Sequence, residues 1–116
     1  MKSYTNLDQS RKLAVFLPLE SADMVWISIE DDESFGGAYE VLPKGCSLVA
    51  IDDNAIPCWS LAALMDVLDR GALFKTPEGW VCQAYVGAEA ISSYYYSNPI
   101  DACIEIISEL HKQKLL

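Results

Sequence analysis

The sequence contains few basic residues and a single histidine. Its 116 residues include 8 lysines and arginines against 17 aspartates and glutamates, a formal net charge of −9. This charge repels phosphate backbones, so we expect no direct nucleic-acid binding. The histidine, His111, falls near the end of the last predicted helix, where its positive form suits the helix dipole. A nucleophile paired with a histidine base is therefore not indicated.

Long apolar runs are also missing. Leu13–Leu19 is seven residues long and contains Pro18, whereas a membrane-spanning helix needs about 20 apolar residues. The polar beginning, MKSYTNLDQSRKL, does not have the form of a signal peptide. We therefore expect a cytoplasmic protein without a membrane segment.

The cysteines are not grouped. Cys46, Cys58, Cys82 and Cys103 form no CxxC pair, whereas structural zinc is held by closely grouped cysteines and histidines. Scattered cysteines in a cytosolic protein are mostly small buried apolar residues. For Cys58 a second interpretation stays open, because the helix that follows it could lower the pKa of its thiol and make it reactive.

No other segment assembles a cofactor or metal site. The acidic run Glu30-Asp31-Asp32-Glu33 could attract a cation or a partner, but it lacks the alternating ligands of a calcium loop. We favour a solvated loop over Glu30–Gly37, and a turn at Asp52-Asp53. Gly36-Gly37 lacks the further glycines of a phosphate-binding fingerprint. We assign no catalytic, cofactor-binding or metal residue.

The composition, 52% hydrophobic and 22% charged, is that of a globular protein with a sound core. The length predicts one domain over residues 1–116.

Capping residues predict where the helices begin. The first helix runs from about Asn6 to Val15, with Thr5 or Asn6 as cap, and Pro18 prevents a longer one. In the second, PCWSLAALMDVL, Ser60 is the N-cap and Trp59 packs on Leu64 as a hydrophobic staple.

The second and third helices also have predicted ends and faces. Gly71 is expected to close the second helix in a left-handed conformation. The third starts at the cap Asn98, with Pro99 in the first helical position. Its apolar stripe is Ile100, Cys103, Ile104, Ile107 and Leu110.

Strands are predicted between the helices. MVWISI (24–29) is nearly all apolar, as in a strand covered on both faces. AYEVL and SLVAI flank a PKG turn, and ALFKT, WVCQAYV and AISSYYY form successive hairpins. Within the last of these, at least one of Tyr94, Tyr95 and Tyr96 should be exposed. Trp26, Trp59 and Trp80 are expected in the core or in hairpins.

These elements predict an α+β fold, with an antiparallel sheet packed against about three helices. The C-terminal half has the order helix-β-β-β-helix.

Three segments together resemble a group of small uncharacterised proteins of gut Bacteroidales and their phages or mobile elements. They are Pro-x-Trp-Ser before a leucine-rich helix, a Gly-Trp strand, and Asn-Pro-x-Asp-Ala opening the final helix. SADMVW is similar too, so the resemblance covers most of the chain. It implies an accessory role in a phage or mobile element and carries over no activity and no functional residue.

The C-terminal half alone resembles the HicB-like antitoxin fold, which is related in shape to double-stranded-RNA-binding domains. Three strands before a helix that opens with Pro-x-Asp-Ala carry this resemblance. The basic residues with which an RNA binder contacts phosphates are missing here.

The acidic surface and the lack of an assembled catalytic set predict a non-enzymatic protein-interaction module with a basic protein partner. The alternatives are an antitoxin-like inhibitor of a basic toxin, a nucleic-acid mimic, and a small enzyme using a carboxylate pair. The tyrosine-rich SYYYS is a candidate sheet edge that a second copy could cover, which predicts a homodimer.

Overall fold

Groups of antiparallel strands separate the helices along the chain in an α+β fold, as predicted. The structure is a computed structural model and describes residues 3–28, 39–43 and 55–116. The helices in these residues are α1 (Leu7–Ala14), α2 (Leu61–Val67) and α3 (Pro99–Lys112), with a 3₁₀ turn at Leu19–Ser21. The strands are β1 (Met24–Ser28), β2 (Tyr39–Pro43), β3 (Ile56–Cys58), β4 (Gly71–Thr76), β5 (Gly79–Val86) and β6 (Glu89–Ser92). The helix-β-β-β-helix order of the C-terminal half is confirmed.

The strands divide between two sheets. The N-terminal sheet has the order β2-β1-β3 and the C-terminal sheet the order β4-β5-β6, with all neighbours antiparallel. The sequence does not predict β3, because three residues are too few for an alternating pattern and Pro57 argues against a central strand. Among the described strands β3 lies at the edge of its sheet, where a proline is tolerated.

Helix α1 begins as its capping residues predict. The Asn6 side chain accepts from the Gln9 amide (2.8 Å), and the Gln9 side chain accepts from the Asn6 amide (3.0 Å). This reciprocal pair is a capping box, which satisfies two amide donors of the first turn. The helix ends at Ala14, four residues before Pro18.

Helix α2 begins as predicted but ends earlier. The Ser60 hydroxyl accepts from the Ala63 amide (3.2 Å), which makes Ser60 the N-cap. The prediction that Gly71 closes the helix is wrong, because Leu68 is already extended and Gly71 is the first residue of β4. Glycine is needed at position 71 for space: a Cβ there would lie 2.8 Å from the Leu68 Cβ.

Helix α3 starts at Asn98, whose side chain accepts from the Asp101 amide (2.9 Å), and Pro99 follows at the first helical position. The Asp101 carboxylate accepts from the side-chain amides of Asn98 (2.8 Å) and Gln9 (2.7 Å). This second bond joins the starts of α1 and α3. The predicted stripe is largely confirmed, with Ile104 half-buried and the buried face extended to Ala102 and Ile106.

Both predicted hairpins of the C-terminal sheet are present. β4 and β5 pair from Gly71–Ala84 to Thr76–Gly79, and β5 pairs with β6 from Gln83–Ser92 to Val86–Glu89. Gly79 has φ of 142°, and a Cβ on it would lie 2.7 Å from the Tyr96 carbonyl oxygen. Both facts favour glycine at this turn.

The core forms where the helices pack together and against the C-terminal sheet. Its largest fully buried side chains include Trp59, Leu64, Ile100 and Ile107. Trp59 donates from its indole to the Ser21 hydroxyl (2.9 Å), so its one polar group is satisfied. Outside this core, Met24–Ile27 of β1 are only half-buried, which corrects the expectation of a strand covered on both faces.

Several predicted segments lie outside the described residues. They are the acidic loop over Glu30–Gly37, Lys44 and Gly45 of the PKG turn, Cys46, the SLVAI strand, and the Asp52-Asp53 turn. Within the described part, none of the helices is long and apolar enough to span a membrane.

Candidate interaction surface

Cys58 lies at the centre of a buried junction between α1, β3 and α2. Its thiol is fully buried, 3.6 Å from the Thr5 hydroxyl and 3.5 Å from the Thr5 carbonyl oxygen. The Thr5 hydroxyl also accepts from the Trp59 amide (3.2 Å) and contacts the Ser10 hydroxyl (2.7 Å). We call Thr5, Ser10 and Cys58 the buried junction. Its polar groups satisfy one another inside the protein.

This environment does not activate the thiol. Burial raises the pKa of Cys58, outweighing the hydrogen bonds from Thr5 and Ser10 that lower it. A reactive cysteine needs an accessible, stabilised thiolate. Cys58 instead has the properties of a small core residue, the first of its two interpretations.

Two other chemistry-bearing side chains near the junction are also structural. The Ser60 hydroxyl, already the cap of α2, donates to the Asp23 carboxylate, and the Ser60 amide donates to the same carboxylate (2.9 Å). Trp26 is half-buried and shares its indole N–H between the Thr5 carbonyl (3.3 Å) and the Ser10 hydroxyl (3.2 Å). These contacts fix the entry of the chain into α2.

His111 lies at the exposed end of α3. Its ring stacks on Phe16, with centroids 3.9 Å apart and planes 11° apart. Its Nδ1 is 3.1 Å from the main-chain oxygen of Leu116. The side chain therefore packs the end of α3 against the segment after α1.

The other cysteines and the acidic groups form no metal centre in the described residues. No cluster of three or more histidine, cysteine, aspartate or glutamate side chains is placed to hold a metal there. Cys82 and Cys103 are buried between β5 and α3. The hydrogen bond with Cys82 and burial raise the pKa of Cys103, so its thiol stays protonated within the core. The acidic run at positions 30–33 lies outside the described residues.

Among the described residues, no helix packs on one face of the C-terminal sheet. Cys82 and Ala84 of β5 are buried against the core, and their cross-strand partners Leu73 and Ile91 pack on it too. Since side chains alternate along a strand, the residues between these point away from the core. We call these residues the outer face: Ala72, Phe74, Val81, Gln83, Tyr85, Ala90 and Ser92.

The outer face is uncharged and exposes large rings. Phe74 is 50% exposed and Tyr85 is 46% exposed. None of its seven side chains is charged, although the chain as a whole carries −9. Its amide and hydroxyl bond to each other, since Gln83 Nε2 donates to the Ser92 hydroxyl (3.1 Å). A partner that covers this face would therefore bury aromatic surface while removing few polar groups from water.

Two further exposed rings lie beside this sheet. β6 ends at Ser92, earlier than the predicted AISSYYY strand, because the Ser93 hydroxyl replaces a main-chain partner and accepts from the Cys82 amide (2.9 Å). The Ser93 amide still donates to the Cys82 carbonyl (2.8 Å), and further along Tyr96 exchanges main-chain bonds with Trp80. Tyr94 and Tyr95 lie between these points and are 78% and 58% exposed. The expectation of an exposed tyrosine is confirmed.

Glu105 of α3 holds this tyrosine segment in place. Its carboxylate accepts from the Tyr94 amide (2.7 Å) and from the Tyr96 hydroxyl (3.2 Å). Partial burial and the Glu105 charge raise the pKa of Tyr96, so its hydroxyl remains a donor at neutral pH. The exposed rings of Tyr94 and Tyr95 are thus carried on a fixed backbone.

Phe74 and Tyr85 are missing from the residues singled out in the sequence. The signal was present, because alternate residues of WVCQAYV already separate Cys82 and Ala84 from Val81, Gln83 and Tyr85. The sequence pattern could not show on which side of the sheet the helices pack.

The comparisons with known proteins add no relative. No protein-family model, curated protein or solved structure matches this chain.

Proposed function

We propose that this protein is a non-enzymatic protein-interaction module that binds a basic protein partner through its outer face. The observation that carries the proposal is the uncharged, aromatic outer face on a strongly acidic chain. The phage or mobile-element setting rests on the sequence resemblance alone.

The composition of the outer face suits an interface core. Protein interfaces are enriched in aromatic residues and depleted of charge at their centre. Phe74 and Val81 are cross-strand partners, as are Tyr85 and Ala90, so each ring stands beside a smaller side chain on a rigid sheet. Rings held on regular elements lose little conformational freedom when they become buried, which favours tight association.

The charge around the outer face favours a basic partner. The exposed Glu78 and Glu89 lie at opposite ends of β5, one in each hairpin. The summed charge of −9 attracts basic surfaces over long range and repels acidic ones. The exposed cations Arg70 and Lys75 lie on or beside the same sheet as these glutamates, so the attraction comes from the net charge of the whole chain. Contact would be stabilised by the uncharged centre of the outer face.

A photo-crosslinking experiment tests this assignment. A photoreactive amino acid replaces Gln83 on the outer face and, as the control, the exposed Lys12 on α1. Both proteins are irradiated in lysate of the native host, and crosslinked proteins are identified by mass spectrometry. We expect one basic protein to crosslink from position 83 and not from position 12.

Substitutions on the outer face check the result. Phe74→Asp should abolish the crosslink at position 83, because it places a charge at the centre of the interface. Phe74→Tyr, which keeps the ring, should retain it. Equal crosslinking in Phe74→Asp and wild type, or a partner captured only from position 12, would contradict the proposal.

A second copy of the chain is the competing occupant of the outer face. Light scattering after gel filtration separates the two cases, because a homodimer would show twice the mass of 12.8 kDa. If Phe74→Asp converted such a dimer to a monomer, the predicted homodimer would take the place of the basic partner.

The second candidate function is an antitoxin-like inhibitor of a basic toxin. The α2-β4-β5-β6-α3 order supports it, since this is the segment that resembles the HicB-like fold. Co-expression with a small basic protein from a neighbouring gene should relieve that protein's toxicity. Relief that persists in Phe74→Asp would move the inhibitory contact away from the outer face.

The acidic residues of the described part give less support to a nucleic-acid mimic. They are distributed over all three helices, both hairpins and β2, and Asp101 and Glu105 bond to neighbouring elements. A carboxylate-pair enzyme finds no specific support in these contacts.

A further inference from the structure

A cavity opens at one end of the C-terminal sheet, away from the centre of the outer face. Its volume is about 240 Å³, and it is lined by the end of α2, the link to β4, the end of β5 and the last residues of the chain. Leu68 and Leu110, which are buried core residues, form part of its wall. The cavity therefore reaches the apolar core between the sheet and α3.

The rest of the apolar wall comes from Val67, Ala84 and Val86, which pack in the same core, and from the exposed Leu115 and Leu116. Branched aliphatic side chains on several elements give a surface that suits an aliphatic chain. A volume of about 240 Å³ lies below the roughly 300 Å³ at which pockets for larger ligands begin. The site is therefore sized for a small molecule.

A cation lies in the wall of this apolar cavity. Arg70 is exposed, and its guanidinium carbon is 5.4 Å from the centre of the Tyr85 ring, which also lines the cavity. The main chains of these two residues are joined as well, by a bond from the Tyr85 amide to the Arg70 carbonyl (3.2 Å). A ring contact engages the charge of a guanidinium and leaves its in-plane N–H donors able to bind a carboxylate.

The negative charges around the cavity limit the number of negative charges that a ligand can carry. Asp69 also lines the cavity, and the chain as a whole carries −9. Polyanions such as nucleotides are repelled more strongly than a single carboxylate. Among anions, a monoanion can pair with Arg70 at the smallest cost in electrostatic repulsion from these negative charges.

We propose that this cavity binds a small aliphatic monocarboxylate, with its chain among the valines and leucines and its carboxylate on Arg70. The ligand site shares Tyr85 with the outer face, whereas Phe74 and Val81, at the centre of that face, are absent from its lining.

Isothermal titration calorimetry with octanoate tests the proposal on the full chain. Octanamide, which has the same chain length and no charge, is the matched ligand. We expect saturable binding of one octanoate per chain and at least about tenfold weaker binding of octanamide, the effect of one charge-assisted hydrogen bond.

Two matched variants locate the carboxylate. Arg70→Gln and Lys75→Gln each remove one exposed cation that lies over an aromatic ring, but only Arg70 lines the cavity. Octanoate should bind about tenfold or more weakly to Arg70→Gln and normally to Lys75→Gln. No binding to wild type, equal affinities in the two variants, or equal binding of octanoate and octanamide would overturn the proposal.

Nuclear magnetic resonance locates the chain without a core substitution. Octanoate should shift the amide signals of residues 67–70 and 84–87 in the wild-type protein. Shifts confined to Phe74 and Val81 would place the ligand on the outer face and overturn the assignment. Val86→Phe, which narrows the cavity, should weaken octanoate binding while circular dichroism confirms that the variant is folded.

Discussion

The buried junction and the outer face distribute polar and apolar groups in opposite ways. The junction encloses two hydroxyls and a thiol, and each has a partner within the protein. The outer face presents the rings of Phe74 and Tyr85 to solvent. Residue types that carry chemistry are thus internal and satisfied, while the residues available to a partner are apolar. The outer face, and not the buried nucleophile, is therefore the part of this chain on which our proposed function rests.

The largest expected effect comes from the ring next to the junction. Trp59→Ala should lower the free energy of unfolding by about 3–5 kcal/mol, because the ring is fully buried and its removal leaves a cavity. Phe74→Ser on the outer face is the control, expected to lower it by only about 1 kcal/mol, because the ring is half exposed and its main contact is the cross-strand partner Val81. Urea denaturation measures both. Similar losses of unfolding free energy in the two variants would show that the ring beside the junction and the ring on the outer face contribute equally to stability.

Removing one hydroxyl from each region should also show that the buried junction contributes more to stability than the outer face does. Thr5→Val keeps the shape of the side chain but takes away the acceptor of the Trp59 amide and the partner of Ser10. We expect a loss of about 1–3 kcal/mol, typical of buried polar groups left without a partner. Ser92→Ala, an exposed hydroxyl on the outer face, should stay within about 0.5 kcal/mol. If Thr5→Val left the free energy of unfolding unchanged, the junction would tolerate polar groups without a hydrogen-bond partner.

The buried thiol should also make stability depend on alkaline pH. Folding raises the pKa of Cys58, so its contribution to stability is complete below the pKa of the unfolded thiol, about 8.5. It is lost as the pH rises from there through the folded-state pKa, by up to about 1.4 kcal/mol per pH unit. Denaturation of wild type and Cys58→Ala between about pH 8 and 10 should show a shallower decline in the variant. Parallel declines would contradict a raised pKa at this position.

The smallest effect is expected at the N-cap of α3. Asn98→Ala removes the acceptor of the Asp101 amide and should cost about 1 kcal/mol. Asn98→Ser, which can still cap, should recover most of this loss. Thermal unfolding followed by circular dichroism measures both variants. Equal melting temperatures for the alanine and serine variants would show that α3 does not depend on this cap.

Helix starts are the features that the sequence predicts most accurately. Asn6 with Gln9, Ser60 with Ala63, and Asn98 with Asp101 are each three residues apart, and each pair forms the expected bond. The interaction is complete within one turn, so no distant residue can change it. Hairpin positions were predictable for the same reason, since their turns are local.

The failures involve partners far along the chain. α2 ends before Gly71 and β6 ends at Ser92, although the local patterns continue. The early end of β6 depends on the Ser93 hydroxyl reaching the Cys82 amide, eleven residues away in sequence. β3 has its place because of β1, to which Cys58 is joined through Met24. Such contacts leave no periodic signal in a single sequence.

The sequence by itself determined the helix-β-β-β-helix order of the C-terminal half, the helix caps and the acidic charge, because these depend on neighbouring residues or on composition. It also separated the two faces of β5 by alternation. Only the tertiary structure decided which face is covered, because that depends on where the helices pack. It likewise brought Arg70 and Tyr85 to the wall of a cavity formed in part by Leu68 and Leu110. Burial is a property of the assembled elements, so folding covers Cys58 completely and leaves Phe74 half exposed.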